Sequence, residues 1–119
     1  MQQLDKAEIE EIIRDEILVD TYGDEEAALG WQTFLDDHLV FPFQAACQFQ
    51  TPRGKKVVLE LPIVGEFSME AHPEYGDFYV QALFHEVLIR VGLDDLQPTD
   101  AEEETIRGIQ VWQGRRRIN

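Results

Sequence analysis

The stretch from Asp24 to Phe43, DEEAALGWQTFLDDHLVFPF, decides how the chain folds, because it holds a helix and the point where helix gives way to strand. Asp24 is a good N-cap, and Glu25 and Glu26 stand in the first turn, where the helix dipole favours negative charge. The spacing predicts a helix from about Glu25 to Leu39, with Leu29, Trp31, Phe34, Leu35 and Leu39 on its apolar side. Pro42 disfavours helical geometry at Phe41, so Phe41-Pro42-Phe43 ends the helix and opens an extended region.

Upstream, residues 5–18, DKAEIEEIIRDEIL, place Ile9, Ile12, Ile13 and Ile17 at helical spacing with acids on the remaining faces, which predicts an amphipathic helix. Asp20-Thr21-Tyr22-Gly23 interrupts that pattern. Downstream the pattern turns to strands: FQAACQF, KKVVLELPIV after the turn-forming TPRG, DFYVQALF and EVLIRVGL. Between the second and third of these, GEFSMEAHPEYG contains Pro73, Glu66, Glu70 and Glu74 and reads as an exposed acidic loop. Asp94-Asp95-Leu96-Gln97-Pro98 closes the β region, and Thr99 or Asp100 can cap a last helix through about Trp112, with Arg115 to Arg117 beyond it as a solvated tail. The expected fold is α+β: N-terminal helices and a C-terminal helix flanking a small antiparallel sheet or SH3-like partial barrel. A single domain over residues 1–119 is expected, with a helical region over residues 1–41, a β region over 42–98 and a C-terminal helix over 99–119, and 44% apolar residues suffice for one core.

Charge narrows the function. Twenty-four acids against ten Lys and Arg give a formal net charge of −14, a field that repels nucleic acid and anionic membranes and attracts cations. Residues 1 to 37 hold twelve of the acids against Lys6 and Arg14 alone. A calcium ion or a basic protein partner fits this field, and solubility is the other use of such charge. No run approaches the ~18 to 20 apolar residues of a membrane span, and MQQLDKAEIE lacks the pattern of a secretory signal, so a cytoplasmic protein is expected. Cys47, alone in the sequence, cannot form an internal disulfide, which agrees with a reducing compartment, and reads as a small buried apolar side chain.

The most telling pair is Asp36-Asp37, placed in the last turn of the second helix, where free carbonyls and the negative dipole end disfavour an anion. A hard cation reverses that penalty by accepting carboxylate and carbonyl oxygens together, and calcium takes six to eight such ligands in a flexible arrangement. Glu26 lies on nearly the same helix face as Asp37 but about 16 Å away along the axis, so the two cannot share one ion. A second site at Glu26 would need Asp20 or acids of the loop, and stabilisation of the helix N-terminus accounts for Glu26 as well. Asp94-Asp95 allows a ligand or a plain turn. No segment matches an EF-hand loop, His38, His72 and His85 show no zinc spacing, and no nucleophile motif or phosphate-cradling glycine loop occurs, so a non-enzymatic protein is expected.

The same residues resemble a family, the small calcium-binding proteins of cyanobacteria and other bacteria, one of which is linked to heterocyst differentiation. The resemblance runs from Glu16-Ile17-Leu18-Val19-Asp20 through Tyr22-Gly23, Glu25-Glu26, Gly30-Trp31, Leu35, Asp37 and Leu39 to Phe41-Pro42-Phe43 and Ala45. Val91-Gly92-Leu93-Asp94-Asp95-Leu96 and a C-terminal helix with a tryptophan correspond more loosely. The resemblance implies Ca2+ binding with buffering or sensing of intracellular calcium, and it implies Asp20, Glu26 and Asp37 as recurrent acidic positions. Glu70 and Asp77 join Asp36 as candidate metal ligands from the acidic loop alone. Two departures stand out: Gly92, where the family tends to have proline, and Val111, where it tends to have an aspartate before the tryptophan.

Overall fold

The computed structural model describes residues 4–19, 23–66 and 78–115. Asp5 starts the first helix, α1 (Lys6–Ile12), and its carboxylate accepts the Glu8 N–H at 2.8 Å. The expected single α-helix over 5–18 is corrected in its second half, because Ile13–Ile17 is wound as a π-turn with the Leu18 N–H donating to the Ile13 carbonyl at 2.8 Å. On an α-helix the five residues from Ile12 to Ile17 advance by about 500°, which would leave Ile17 about 140° away from Ile12. The wider turn brings Ile17 back, and both side chains are buried.

Helix α2 (Asp24–His38) begins one residue earlier than expected, with Gly23 in the capping position. It buries Trp31, Phe34 and Leu35, and Leu39 just beyond it, whereas Leu29 is 63% exposed. That corrects the expected apolar side: two residues turn the helix by about 200°, so Leu29 lies opposite Trp31. Gly30 is required by close approach, since a Cβ there would collide with the Ile17 carbonyl oxygen of the π-turn.

Five strands follow: β1 (Phe43–Gln50), β2 (Lys56–Glu66), β3 (Tyr79–Phe84), β4 (Val87–Gly92) and β5 (Leu96–Asp100). They form one antiparallel sheet in the order β4-β3-β2-β1-β5, a four-stranded meander with β5 returned to the free side of β1. Asp94 and Asp95 do turn the chain, in a short 3-10 helix (Leu93–Asp95), but strand β5 corrects the rest of the reading of this segment as a closing turn: Leu96 pairs with Cys47 and Gln97 with Ala46. Pro98 is tolerated there because, among the described residues, β5 has a neighbour on one side only. With Thr99 and Asp100 drawn into the strand, neither caps the last helix, α3 (Glu103–Gly114), and Glu102 takes that position without a side-chain cap bond.

The helices and the sheet share one core, in which Trp112 of α3 meets Trp31 edge-to-face at 5.1 Å and Phe78 at 6.2 Å between ring centroids. Phe43, Ala45 and Cys47 alternate inward from β1, opposite Ile63, Leu61 and Leu59 of β2. Burial pushes the Cys47 thiol up to about 11, so it stays protonated and inert at neutral pH.

Candidate metal centre

Asp36 and Asp37 do occupy the last turn of α2, and both are exposed. The end of the helix is fixed by α3: the fully buried Thr105 hydroxyl accepts the Val40 N–H at 2.8 Å and donates to the His38 carbonyl at 3.3 Å. The Leu35 carbonyl accepts the Leu39 N–H at 2.8 Å. Two of the last four carbonyls are therefore engaged, and those of Asp36 and Asp37 have no partner among the described residues. His38 is turned back on its own helix, with Nδ1 at 2.8 Å from the Phe34 carbonyl and its ring stacked on Phe34 at 4.0 Å.

The two adjacent acids diverge, as residues about 100° apart on a helix must. Asp36 meets Glu66, the last residue of β2, through a carboxyl-carboxyl hydrogen bond. Glu66 is partly buried, and burial first, then the hydrogen bond and negative charge of Asp36, push its carboxyl up to about 7. This corrects the reading of Glu66 as an exposed loop acid: it ends a strand and stands against the negative end of α2. Asp37 instead lines a cleft of about 380 Å³ between the π-turn and α2, together with Glu16, Glu26, Thr33 and His38. Glu26 and Asp37 thus share a helix face, as their spacing requires, but no group of three or more His, Cys, Asp or Glu side chains converges among the described residues. Asp20, Glu70 and Asp77 lie outside the described residues, as does His72.

Asp94 is taken up otherwise. Arg115 Nη1 and Nη2 donate to its two carboxylate oxygens at 3.1 and 3.0 Å, so this acid has a cation supplied by the chain and serves the fold. Arg115 is buried, contrary to the expectation of a solvated basic tail, and Arg116 and Arg117 lie outside the described residues.

The Asp36–Glu66 carboxyl pair at the end of α2 enters no ion pair among the described residues. A family model described as calcium binding, that of CcbP, matches residues 11–114. The chain belongs to the CcbP family of calcium-binding proteins. The crystal structure of Anabaena CcbP is 26% identical and superposes with a TM-score of 0.75, covering 93% of this chain and 89% of that one. A calcium-binding protein in its calcium-binding form is 27% identical with a TM-score of 0.67, covering 91% and 87%. Comparison with curated proteins finds no match. CcbP membership sets the two departures in context. Gly92 holds φ −71°, a value that a proline ring also takes, so the substitution leaves the backbone path open to either residue. Val111 is fully buried in the core, so the position before Trp112 carries no carboxylate and faces no solvent.

Proposed function

We propose that this chain binds Ca2+ between the end of α2 and the end of β2, with Asp36 and Glu66 as its central carboxylates. Acids of the 67–77 segment, Glu70 and Asp77 among them, would complete the oxygen shell. The observation that carries this reading is the Asp36–Glu66 contact. Two carboxyl groups sharing a hydrogen bond at the negative end of a helix gain from any cation, and among the described residues neither enters an ion pair. Calcium supplies the missing positive charge and tolerates mixed carboxylate, carbonyl and water ligands. The carbonyls of Asp36 and Asp37 are the backbone oxygens in reach of that role. Glu26, with Asp20, would serve a second, weaker site at the start of α2, about 16 Å along the helix from Asp37.

The role proposed is a non-EF-hand calcium buffer or sensor of the cytoplasm, with affinity on the order of 10⁻⁷ to 10⁻⁵ M. Membership in a calcium-binding family, rather than in an enzyme family, supports it. Calorimetric titration of chelator-treated protein with calcium, in ~0.15 M salt and excess magnesium, tests it. One saturable event should survive magnesium and weaken at least about tenfold in both Asp36→Asn and Glu66→Gln, with Asp37→Ala affecting it less. An event unchanged in Glu66→Gln would move the site away from this pair, and no saturable event in the wild type would end the calcium reading.

A further inference from the structure

The two edges of the sheet are built differently. Strand β5 is five residues long, contains Pro98 and ends in Asp100, features that discourage another strand from pairing with it. Strand β4 has no proline, and its one charged residue, Arg90, lies over the Tyr79 ring of the neighbouring strand at 4.5 Å. Its outer side has no strand beside it among the described residues.

The hairpin of β3 and β4 also carries apolar side chains beyond the core. Leu83 pairs with Leu88 and Phe84 with Val87, and successive pairs lie on opposite faces of a hairpin. All four are exposed, Val87 at 58% and Leu88 at 54%, so the tip is apolar on both faces. The two-residue turn between them, His85-Glu86, takes positive φ at both positions, 47° and 67°, which matches the twist of a tight hairpin.

We infer that the outer edge of β4 is a docking site for an extended segment of a basic partner protein, which adds beside it as a sixth strand. Main-chain hydrogen bonds to β4 would supply affinity, and alternate apolar side chains would lie on Leu88 on one face and on Phe84 and Val87 on the other. Charge selects the occupant. Residues 79–92 contain one acid, Glu86, and one base, Arg90, so the patch itself is near neutral, while the chain as a whole carries −14. A second copy would bring −14 against −14, whereas a basic chain is steered inward by the same field. This inference does not rest on the calcium reading.

The test is NMR titration of isotope-labelled protein, with calcium and with chelator, at ~0.15 M salt. The probe is a peptide of about ten residues alternating lysine and valine, and its control has glutamate for lysine. The lysine peptide should shift the β4 amides, residues 87–92, whichever metal state is used, and the glutamate peptide should not. A Val87→Asn, Leu88→Asn double variant should bind at least about tenfold more weakly with an unchanged unfolding midpoint, because both side chains are exposed. Val58→Asn, at another exposed apolar position, should bind as the wild type does. Absence of binding, or shifts spread over the acidic helices and equal in the double variant, would overturn the inference. So would dimers in sedimentation that shift the β4 amides without peptide, since the occupant would then be a second copy.

Discussion

At the ends of α2 and α3 a carboxylate meets another element, and the two corners treat its charge in opposite ways. At the end of α3, Asp94 is held by both terminal nitrogens of Arg115, which also donates to the Trp112 carbonyl at 2.6 Å and lies 3.6 Å from the centre of the Trp112 ring. Gln113 secures the same corner by donating to the Leu93 and Leu96 carbonyls at 2.9 and 2.8 Å. At the end of α2, Asp36 faces Glu66, a second acid. The first corner carries its cation in the chain and is closed, while the second has no cation beside it among the described residues.

The largest effect should come from breaking the closed corner. Arg115 is 6% exposed and Asp94 14%, so Arg115→Ala strands a carboxylate away from water and strips a stacked group from Trp112. A loss of roughly 3 to 5 kcal/mol in denaturant-induced unfolding is expected. The paired replacement Asp94→Leu with Arg115→Met should cost much less, since the penalty lies in leaving one charge unpaired and not in lacking the pair.

Converting the open corner into a copy of the closed one sharpens the contrast. Glu66→Lys would give Asp36 a built-in cation, and the tighter calcium event should vanish from calorimetry while the metal-free protein melts higher. Glu66→Gln removes the second acid without supplying a cation, and calcium affinity should fall tenfold to a hundredfold, roughly 1.4 to 2.8 kcal/mol. The anchor beneath this corner contributes less directly. Thr105→Val keeps the shape but leaves the Val40 N–H without its acceptor, for an expected loss of about 1 to 3 kcal/mol in thermal or denaturant unfolding.

The open corner is half legible in the sequence, and the closed one hardly at all. Asp36 and Asp37 are readable because a local rule, the charge preference of a helix end, makes acids there anomalous. Pro42 and the apolar spacing of α2 place that helix end to within a residue. Glu66 is different: its polar neighbours in GEFSMEAHPEYG read as loop, and what makes it a partner of Asp36 is a contact thirty residues away in sequence. Arg115 looks like the start of a solvated RRR tail, yet its burial depends on Asp94, twenty-one residues before it. Strand β5 escapes a sequence reading because it follows directly on the turn at Asp94-Asp95 and contains Pro98, itself a turn former by local preference, and pairing with β1 overrides that preference from Leu96 onward. Helical and strand periods report which side of an element is apolar. They do not report which far-off side chain meets it.

The smallest expected effect separates the two corners by pH. The Glu66 carboxyl titrates near 7 in the folded protein against an ordinary value of 4.5, so between these two values the folded state holds a proton that the unfolded state has released. Folding then binds protons, and the contribution of this group to stability is fully present below about pH 4.5 and is lost as pH rises through about 7. Because Glu66 is only partly buried, solvent screens the effect, and a change of at most about 1 kcal/mol is expected. Unfolding of the metal-free protein in chelator, measured from pH 5 to pH 8, should show stability declining across this window in the wild type relative to Glu66→Gln. With saturating calcium the sign should reverse, since the metal binds the deprotonated pair and protons compete with it. A wild-type profile parallel to that of Glu66→Gln, with and without calcium, would mean that the Asp36–Glu66 pair is no more responsive than the arginine-bound corner it is contrasted with.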